Sequence, residues 1–370
     1  MDHTDHTTWL EIDLNVIRKN IHLLQEITGV PIMAVVKANA YGHGLIETSK
    51  AAVQAGVQWL GVARIDEALE LHRAGIQAHP IVLGYTPPER AGEAAQAGIR
   101  LAVYDSQVAQ AYADQARSVG KPLYVHAKFD TGMGRLGASP EGGVEWMRWL
   151  NSLAGLQVEG VFTHLAEADD PQKPTTDWQL NRFDALLSGL ESAGLRPTWV
   201  HAANSAGALY FPRARYNLVR TGIAIYGLNP SARAPLPEGF RPALTWKTRL
   251  TSVKIFPPNH GISYNYRYYT RAEERIGVCA VGYADGFRRR LGNVVLIRGK
   301  KVPVVGSVCM DQCMVNLDDI PEAEMGDEVV LIGQQGENEI TAEERAREWE
   351  TISYEVVCEL ANRLPRIYID

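Results

Sequence analysis

Seven short β-rich runs recur between residues 32 and 204, with segments of helical period between them. They are IMAVVK (32–37), WLGVA (59–63), PIVLG (80–84), RLAVY (100–104), LYVHAKF (123–129), VEGVFTH (158–164) and TWVHAAN (198–204). GIAIYG (222–227) makes an eighth candidate. Strand and helix in alternation favour parallel pairing, because a parallel neighbour needs a crossover long enough to hold a helix. In DLNVIRKNIHLLQEITG, Leu14, Ile17, Ile21, Leu24 and Ile27 recur at helical spacing, with Asp13 placed to cap the start and Gly29 the end. RIDEALELHRAG and SQVAQAYADQARSVG also close on glycine. Eight such units fit a (β/α)₈ barrel, with an open doubly wound sheet as runner-up.

Beyond about residue 235 the alternation stops. PALTWKTRLTSVKIF, IGVCAVGYADG, NVVLIRGKKVPVVGSVCMDQCMVNL and GDEVVLIG are β runs divided by Gly, Pro, Asn or Asp turns. Only TAEERAREWE (341–350) and the segment after Tyr354 read as helix. The expected organisation is α/β: a flexible head at 1–8, a (β/α)₈ barrel over 9–235, and a mostly β domain over 236–370.

At 370 residues the chain has room for both. Its net charge of −6 gives no reason to expect nucleic acid or an anionic membrane as partner. No apolar run approaches the roughly 20 residues of a membrane helix. The start, MDHTDHTTWLEIDL, lacks a basic segment followed by an apolar one, so a cytoplasmic protein is expected. Cys279, Cys309, Cys313 and Cys358 form no CxxC pair and read as free thiols.

In a barrel the C-terminal strand ends carry the chemistry. Lys37, Lys128, His164 and Asn204 fall there. No Asp/Glu/His cluster has metal-ligand spacing, and no GxSxG or GxxxxGK[ST] is present; the glycines of DTGMGRLG, at 132, 134 and 137, do not read as a dinucleotide turn. A lysine closing an apolar strand usually lays its stem on apolar surface with the ammonium in water. At a barrel mouth with an anion site close by, it also suits a Schiff base to pyridoxal phosphate, provided desolvation lowers its pKa from about 10.4. ANSAGALYF (203–211) and RTGIAIYG (220–227) offer backbone N–H groups for the phosphate, although a glycine after a strand is most often a plain turn.

Nine motifs then carry a resemblance over residues 9 to 368: AVVKANAYGHG (34–44), KFDTGMGRLG (128–137), FTHLAEAD (162–169), HAANSAG (201–207), VRTGIAIYG (219–227), GISYN (261–265), VGYADGF (281–287), GSVCMDQ (306–312) and TISYEVVC (351–358). With these the chain resembles the alanine racemases, pyridoxal 5'-phosphate enzymes that join a (β/α)₈ barrel to a β domain. The resemblance implies interconversion of L-alanine and D-alanine in a homodimer with shared active sites, supplying D-alanine for peptidoglycan.

It further implies two bases on opposite faces of the substrate carbanion. Lys37, which holds the cofactor, serves D-alanine, and Tyr264, reaching in from the partner subunit, serves L-alanine. Phosphate contacts carry over to Tyr41, Ser205, Gly222, Ile223 and Tyr354. Arg220 matches the arginine facing the pyridine nitrogen. His164 and Arg220 match groups beside the tyrosine, where a cation would favour the phenolate. Arg135 and the partner-derived Met310 N–H match the carboxylate contacts. Lys128 matches a lysine that is carbamylated in many members and steadies that arginine. Asn204, Tyr283 and Asp311 match residues lining the site or its entrance; no metal is implied.

Two positions depart from the family pattern: Ser307 stands at a usual arginine, and Asn265 at a usual glycine. A serine or broad-substrate racemase is the alternative. An amino-acid decarboxylase would require a different signature from VCMDQ, and a carrier of pyridoxal phosphate would need no second domain.

Overall fold

The structure, a computed structural model, describes residues 5–370. It divides into two compact units, one of residues 16–241 and one of the described residues up to Asn15 with Pro242–Asp370.

Strand β1 (Thr8–Asp13) belongs to the second of these, pairing antiparallel with β10 (Leu244–Phe256) and parallel with a C-terminal strand at Arg366–Ile369. This departs from the expected 9–235 barrel, and it removes Thr8 from the expected flexible head. Thr8 Oγ1 donates to Lys247 C=O at 3.0 Å, and the Thr7 carbonyl accepts from Thr248 Oγ1 at 2.9 Å. The first four residues of that head lie outside the described residues.

In the unit of residues 16–241, eight strands pair in parallel. They are β2 (Ile32–Val35), β3 (Trp59–Val62), β4 (His79–Val82), β5 (Arg100–Val103), β6 (Leu123–Lys128), β7 (Leu156–Phe162), β8 (Trp199–His201) and β9 (Val219–Thr221). Their order is β8-β7-β6-β5-β4-β3-β2-β9. Arg220 N–H donates to Ala203 C=O at 3.0 Å, joining β9 to the segment after β8 and closing the barrel. The seven expected runs all hold strands.

The eighth strand precedes the expected run instead of coinciding with it. Residues Ile223–Tyr226 of GIAIYG form a 3₁₀ turn. The reason is local: the N–H groups of Gly222 and Ala224 turn toward Ser205 Oγ, at 3.0 and 3.4 Å, and not toward a neighbouring strand. Helices at Leu14–Thr28, Ile65–Arg73 and Ser106–Ser118 end before Gly29, Gly75 and Gly120, each with φ near +65°, as their closing glycines suggest.

The other unit is mostly β. Besides β10 it holds β13 (Glu274–Cys279), β14 (Val294–Ile297), β15 (Lys300–Val305), β16 (Cys313–Asn316) and β17 (Glu328–Gln335), with a two-stranded pair, β11 (Gly261–Ile262) and β12 (Tyr268–Tyr269). Within its sheet the run β17-β14-β15-β16-β13-β10 is closed by a further β10–β17 pairing, so six antiparallel strands form a ring. Short helices at Ala342–Glu348 and Ser353–Cys358 match the two helical segments expected there.

Candidate active site

Each candidate in the barrel unit lies at or just past the C-terminal end of its strand: Lys37 after β2, Lys128 on β6, His164 after β7, Asn204 after β8, and Arg220 and Gly222 at β9. The barrel therefore gathers them at one mouth.

The chain after Lys37 is unusual. Ala38, Asn39, Ala40 and Tyr41 all have φ between +52° and +54°. Ala40 N–H donates to Val36 C=O and Gly42 N–H to Ala38 C=O, at 2.8 and 3.1 Å, so this is one turn of left-handed helix. Left-handed turns cost L-residues roughly 1–2 kcal/mol each. Two side chains hold it in place. Glu67 Oε1 accepts from Ala38 N–H at 2.7 Å while its Oε2 accepts from Ala63 and Arg64 N–H at 2.8 and 3.0 Å. Asn39 Oδ1 accepts from Leu45 N–H at 2.8 Å and so starts the next helix. Lys37 itself is exposed, so the desolvation anticipated for its amine is not supplied by the described residues.

The segments around Ser205 and Gly222 form a compact cradle. Ser205 Oγ lies at the N–H groups of Gly222 and Ala224, and Asn204 caps the Ser205–Tyr210 turn by accepting from Gly207 N–H at 2.9 Å. A Cβ at position 222 would lie 2.5 Å from Tyr41 Oη, so only glycine lets that hydroxyl approach the backbone. Ile223 is buried beside it. Tyr354 lies on the other unit, on the helix Ser353–Cys358.

Arg220 is buried, with both terminal nitrogens engaged. Its Nη1 donates to His201 Nδ1 at 2.8 Å and His201 C=O at 3.0 Å; its Nη2 donates to His164 Nδ1 at 3.1 Å and to the Thr163 and Ala202 carbonyls at 2.9 Å. Burial, helped by the Arg135 charge, pulls its pKa down to about 9, which leaves it a cation at neutral pH.

Since guanidinium only donates, these contacts fix the histidine tautomers. His201 keeps its proton on Nε2 and gives it to His126 Nδ1 at 2.8 Å. His126 Nε2 then faces Glu159 Oε2 at 3.7 Å, and that oxygen accepts Arg100 Nε–H at 3.0 Å. A file of polar side chains thus crosses the barrel core beneath the mouth. Burial raises the Glu159 pKa, but His126 and Arg100 outweigh it and hold the carboxyl at about 2. Burial lowers His126, and burial with the Arg220 charge holds His201 well below the usual range.

His164 is likewise held well below the usual histidine range, first by burial and then by Arg220, Arg135, Lys128 and Lys37. It is therefore a neutral ring with its proton on Nε2. The positive charge of this pair resides on Arg220.

Arg135 is exposed, on a loop wound around Asp130. The Asp130 carboxylate accepts from the N–H groups of Gly132, Met133 and Arg135 at 2.9, 2.7 and 3.0 Å. Lys128 is buried, its pKa lowered to about 8 by burial and by the charges of Arg220 and Arg135. As an ammonium it repels Arg135 and does not steady it. Lys37, Lys128, Arg135 and Arg220 together make the mouth strongly cationic.

Tyr264, Tyr283, Met310 and Asp311 belong to the other unit. The first three are 65%, 44% and 53% exposed. They lie around a cavity of about 910 Å³ bordered by Phe256, Ser263, Tyr264, Cys309, Met310 and Asp311, with Tyr283 fastened to its rim by an N–H bond to Cys309 C=O at 3.0 Å. Asp311 Oδ1 accepts from Arg363 Nη2 at 2.7 Å. The departure at 265 has a plain account: Asn265 has φ +61°, a conformation that suits glycine and that asparagine tolerates. Among the described residues no three His, Cys, Asp or Glu side chains are grouped to hold a metal.

Sequence reasoning missed Glu67, Asp130, His126, His201 and Glu159. Asp130 was within reach, since Asp before Thr-Gly is a turn signal. The two histidines and Glu159 sit inside strands, where nothing in the sequence separates them from core filling.

Comparison with known proteins places both halves of the chain. The family description "Alanine racemase, N-terminal domain" matches residues 12–230, and "Alanine racemase, C-terminal domain" matches 243–368. An alanine racemase of Symbiobacterium thermophilum is 50% identical, the match covering 98% of this chain and 97% of that one. A crystal structure of alanine racemase from Bacillus anthracis with bound L-Ala-P superposes with a TM-score of 0.91 at 41% identity, covering 99% and 95%. A histidine racemase from Leuconostoc mesenteroides superposes with a TM-score of 0.92 at 29% identity, covering 100% and 99%.

Proposed function

The chain belongs to the alanine racemase family, and we propose that it interconverts L- and D-alanine with pyridoxal 5'-phosphate and two bases. The observation that supports this most is the barrel mouth, where Lys37, Lys128, Arg135 and Arg220 surround a cradle of Tyr41, Ser205 and Gly222.

These residues fit the cofactor. The phosphate requires N–H and O–H donors, and the cradle supplies them at a glycine that a larger side chain would obstruct. Lys37 would carry the cofactor covalently through Nζ. Tyr41, Ser205, Gly222 and Ile223 would hold its phosphate, and Asn204 would keep Ser205 in place. Arg220, a donor only, would face the ring nitrogen and leave it unprotonated. When bound, the cofactor supplies a conjugated ring that accepts the electron pair left as the α-proton departs.

The remaining work falls to this chain. Arg135 grips the substrate carboxylate, aided by Met310 N–H from the partner subunit. Lys37 Nζ removes the α-proton of D-alanine, and Tyr264 Oη of the partner removes that of L-alanine, each returning a proton on its own face. A tyrosine acts as a base only as its phenolate, a form that a hydrogen-bond donor or cation beside the oxygen favours. His164 Nε2–H, backed by the Arg220 charge, would donate to such an oxygen. Lys128 would steady Arg135 only after its positive charge is replaced, which carbamylation does. Tyr283 and Asp311 border the entrance.

The strongly exposed Tyr264 and Met310 support a homodimer with shared sites. Among the described residues no helix is long and apolar enough to cross a membrane. A cytoplasmic enzyme supplying D-alanine for peptidoglycan fits this reading. Purified protein loaded with pyridoxal phosphate should racemise L-Ala and D-Ala far faster than L-Ser. Faster turnover of serine would reject alanine as the substrate.

A further inference from the structure

Tyr264 sits on a backbone that L-residues rarely adopt. Ser263 has φ +66° and ψ −175°, a region held almost only by glycine, and Asn265 and Tyr266 have φ of +61° and +44°. Something must hold this loop, and the hydrogen bonds identify it. Ser263 Oγ donates to Ser307 C=O at 2.6 Å, and Ser307 Oγ donates back to Tyr264 C=O at 3.2 Å. Cys309 Sγ completes the contact, 3.5 Å from Ser263 Oγ and 3.7 Å from Ser307 C=O.

The two segments are in direct contact at Gly306, where a Cβ would lie 2.8 Å from Ile262 C=O and 2.9 Å from Ser263 Cβ. Beyond the clamp, the carbonyls of Cys309 and Met310 accept from the N–H groups of Tyr283 and Ala284, both at 3.0 Å. Arg363 then bridges Asp285 and Asp311 at 2.7 Å each. The loop of Met310 is therefore anchored on one side and tied to Tyr264 on the other.

We propose that Ser263 and Ser307 form a reciprocal clamp that registers Tyr264 against the Met310 loop, which makes Ser307 a positioning residue for the L-alanine face of the reaction. The inference rests on the two-base reading above. It gives the departure at 307 a role: a short hydroxyl reaches the Tyr264 carbonyl on the facing segment.

The test uses the cofactor-loaded enzyme and single-turnover washout of α-deuterium from L-alanine and from D-alanine. Ser307→Ala should slow washout from L-alanine by roughly ten- to a hundredfold, the scale of an ångström misplacement. Washout from D-alanine should stay unchanged, and Ser307→Thr should restore the L-alanine rate. Equal slowing on both faces, or no slowing, overturns the clamp. Should the alanine variant not fold, Ser307→Cys keeps the volume with a weak donor and should show the same one-sided loss. Tyr264→Phe runs alongside. If it too shows no preference for the L-face, the two-base reading falls and the clamp's role falls with it.

Discussion

Arg220 Nη2 donates to His164 Nδ1 across 3.1 Å, and that single bond decides which proton His164 can offer. The ring must keep Nδ1 bare and carry its hydrogen on Nε2. In the proposed site the Arg220 cation would act through a neutral histidine, and the histidine need not titrate to stabilise negative charge on a phenol.

The same arrangement predicts an acid limit. His164 and His201 both have folded pKa values well below the usual range. As pH falls through about 6.5 the unfolded chain takes up protons that the folded histidines refuse, so stability should decline below that point. His164→Gln should flatten part of this decline in melting temperature between pH 7 and pH 5. An unchanged slope would contradict a neutral His164.

Borohydride should fix pyridoxal phosphate on the peptide containing Lys37, and Lys37→Ala should lower racemisation by at least the roughly 10²–10⁴-fold of a lost acid–base group. Recovery of the label on Lys128 or any other lysine would remove Lys37 from its role.

Mixing Lys37→Ala chains with Tyr264→Phe chains should recover about a quarter of wild-type activity, since half of randomly exchanged dimers are mixed and each has one site with both native bases. No recovery despite exchanged subunits would place both bases on one chain.

Lys128 predicts an alkaline signature. Its folded pKa is about 8 against about 10.5 unfolded, so the unfolded chain holds the extra proton between these values. Its destabilising effect, on the order of 3 kcal/mol, is present in full below pH 8 and relieved as pH rises toward 10.5. The stability difference between wild type and Lys128→Met should therefore shift in favour of wild type across that window. A constant difference would mean that Lys128 does not titrate there as an ammonium, as carbamylation would bring about.

Much of the barrel was legible because parallel strands buried on both faces leave apolar runs, and helices closed by glycine mark the crossovers. The eighth strand was misplaced because GIAIYG is as apolar as a strand; a hydroxyl from Ser205, distant in sequence, draws its N–H groups into a turn. Strand β1 was assigned to the barrel because adjacency in sequence favoured it, while its partners Leu244–Phe256 and Arg366–Ile369 lie more than two hundred residues away. Lys37 stood out because a charge ends an apolar run. Glu67 did not, because an acid in the first turn of a helix is ordinary and its bond to Ala38 N–H spans 29 residues of sequence.

The turn from Ala38 to Tyr41 has a consequence for chirality itself. Its φ values belong to the mirror image of the common helix, the conformation that D-residues prefer. The usual ranking of residues for a helix is therefore inverted there. Glycine, a defect in an ordinary helix, would relieve the backbone at Ala38 or Ala40, and a semisynthetic chain with D-alanine at those two positions would relax further. The segment that follows Lys37 is shaped for the very enantiomer absent from ribosomal synthesis.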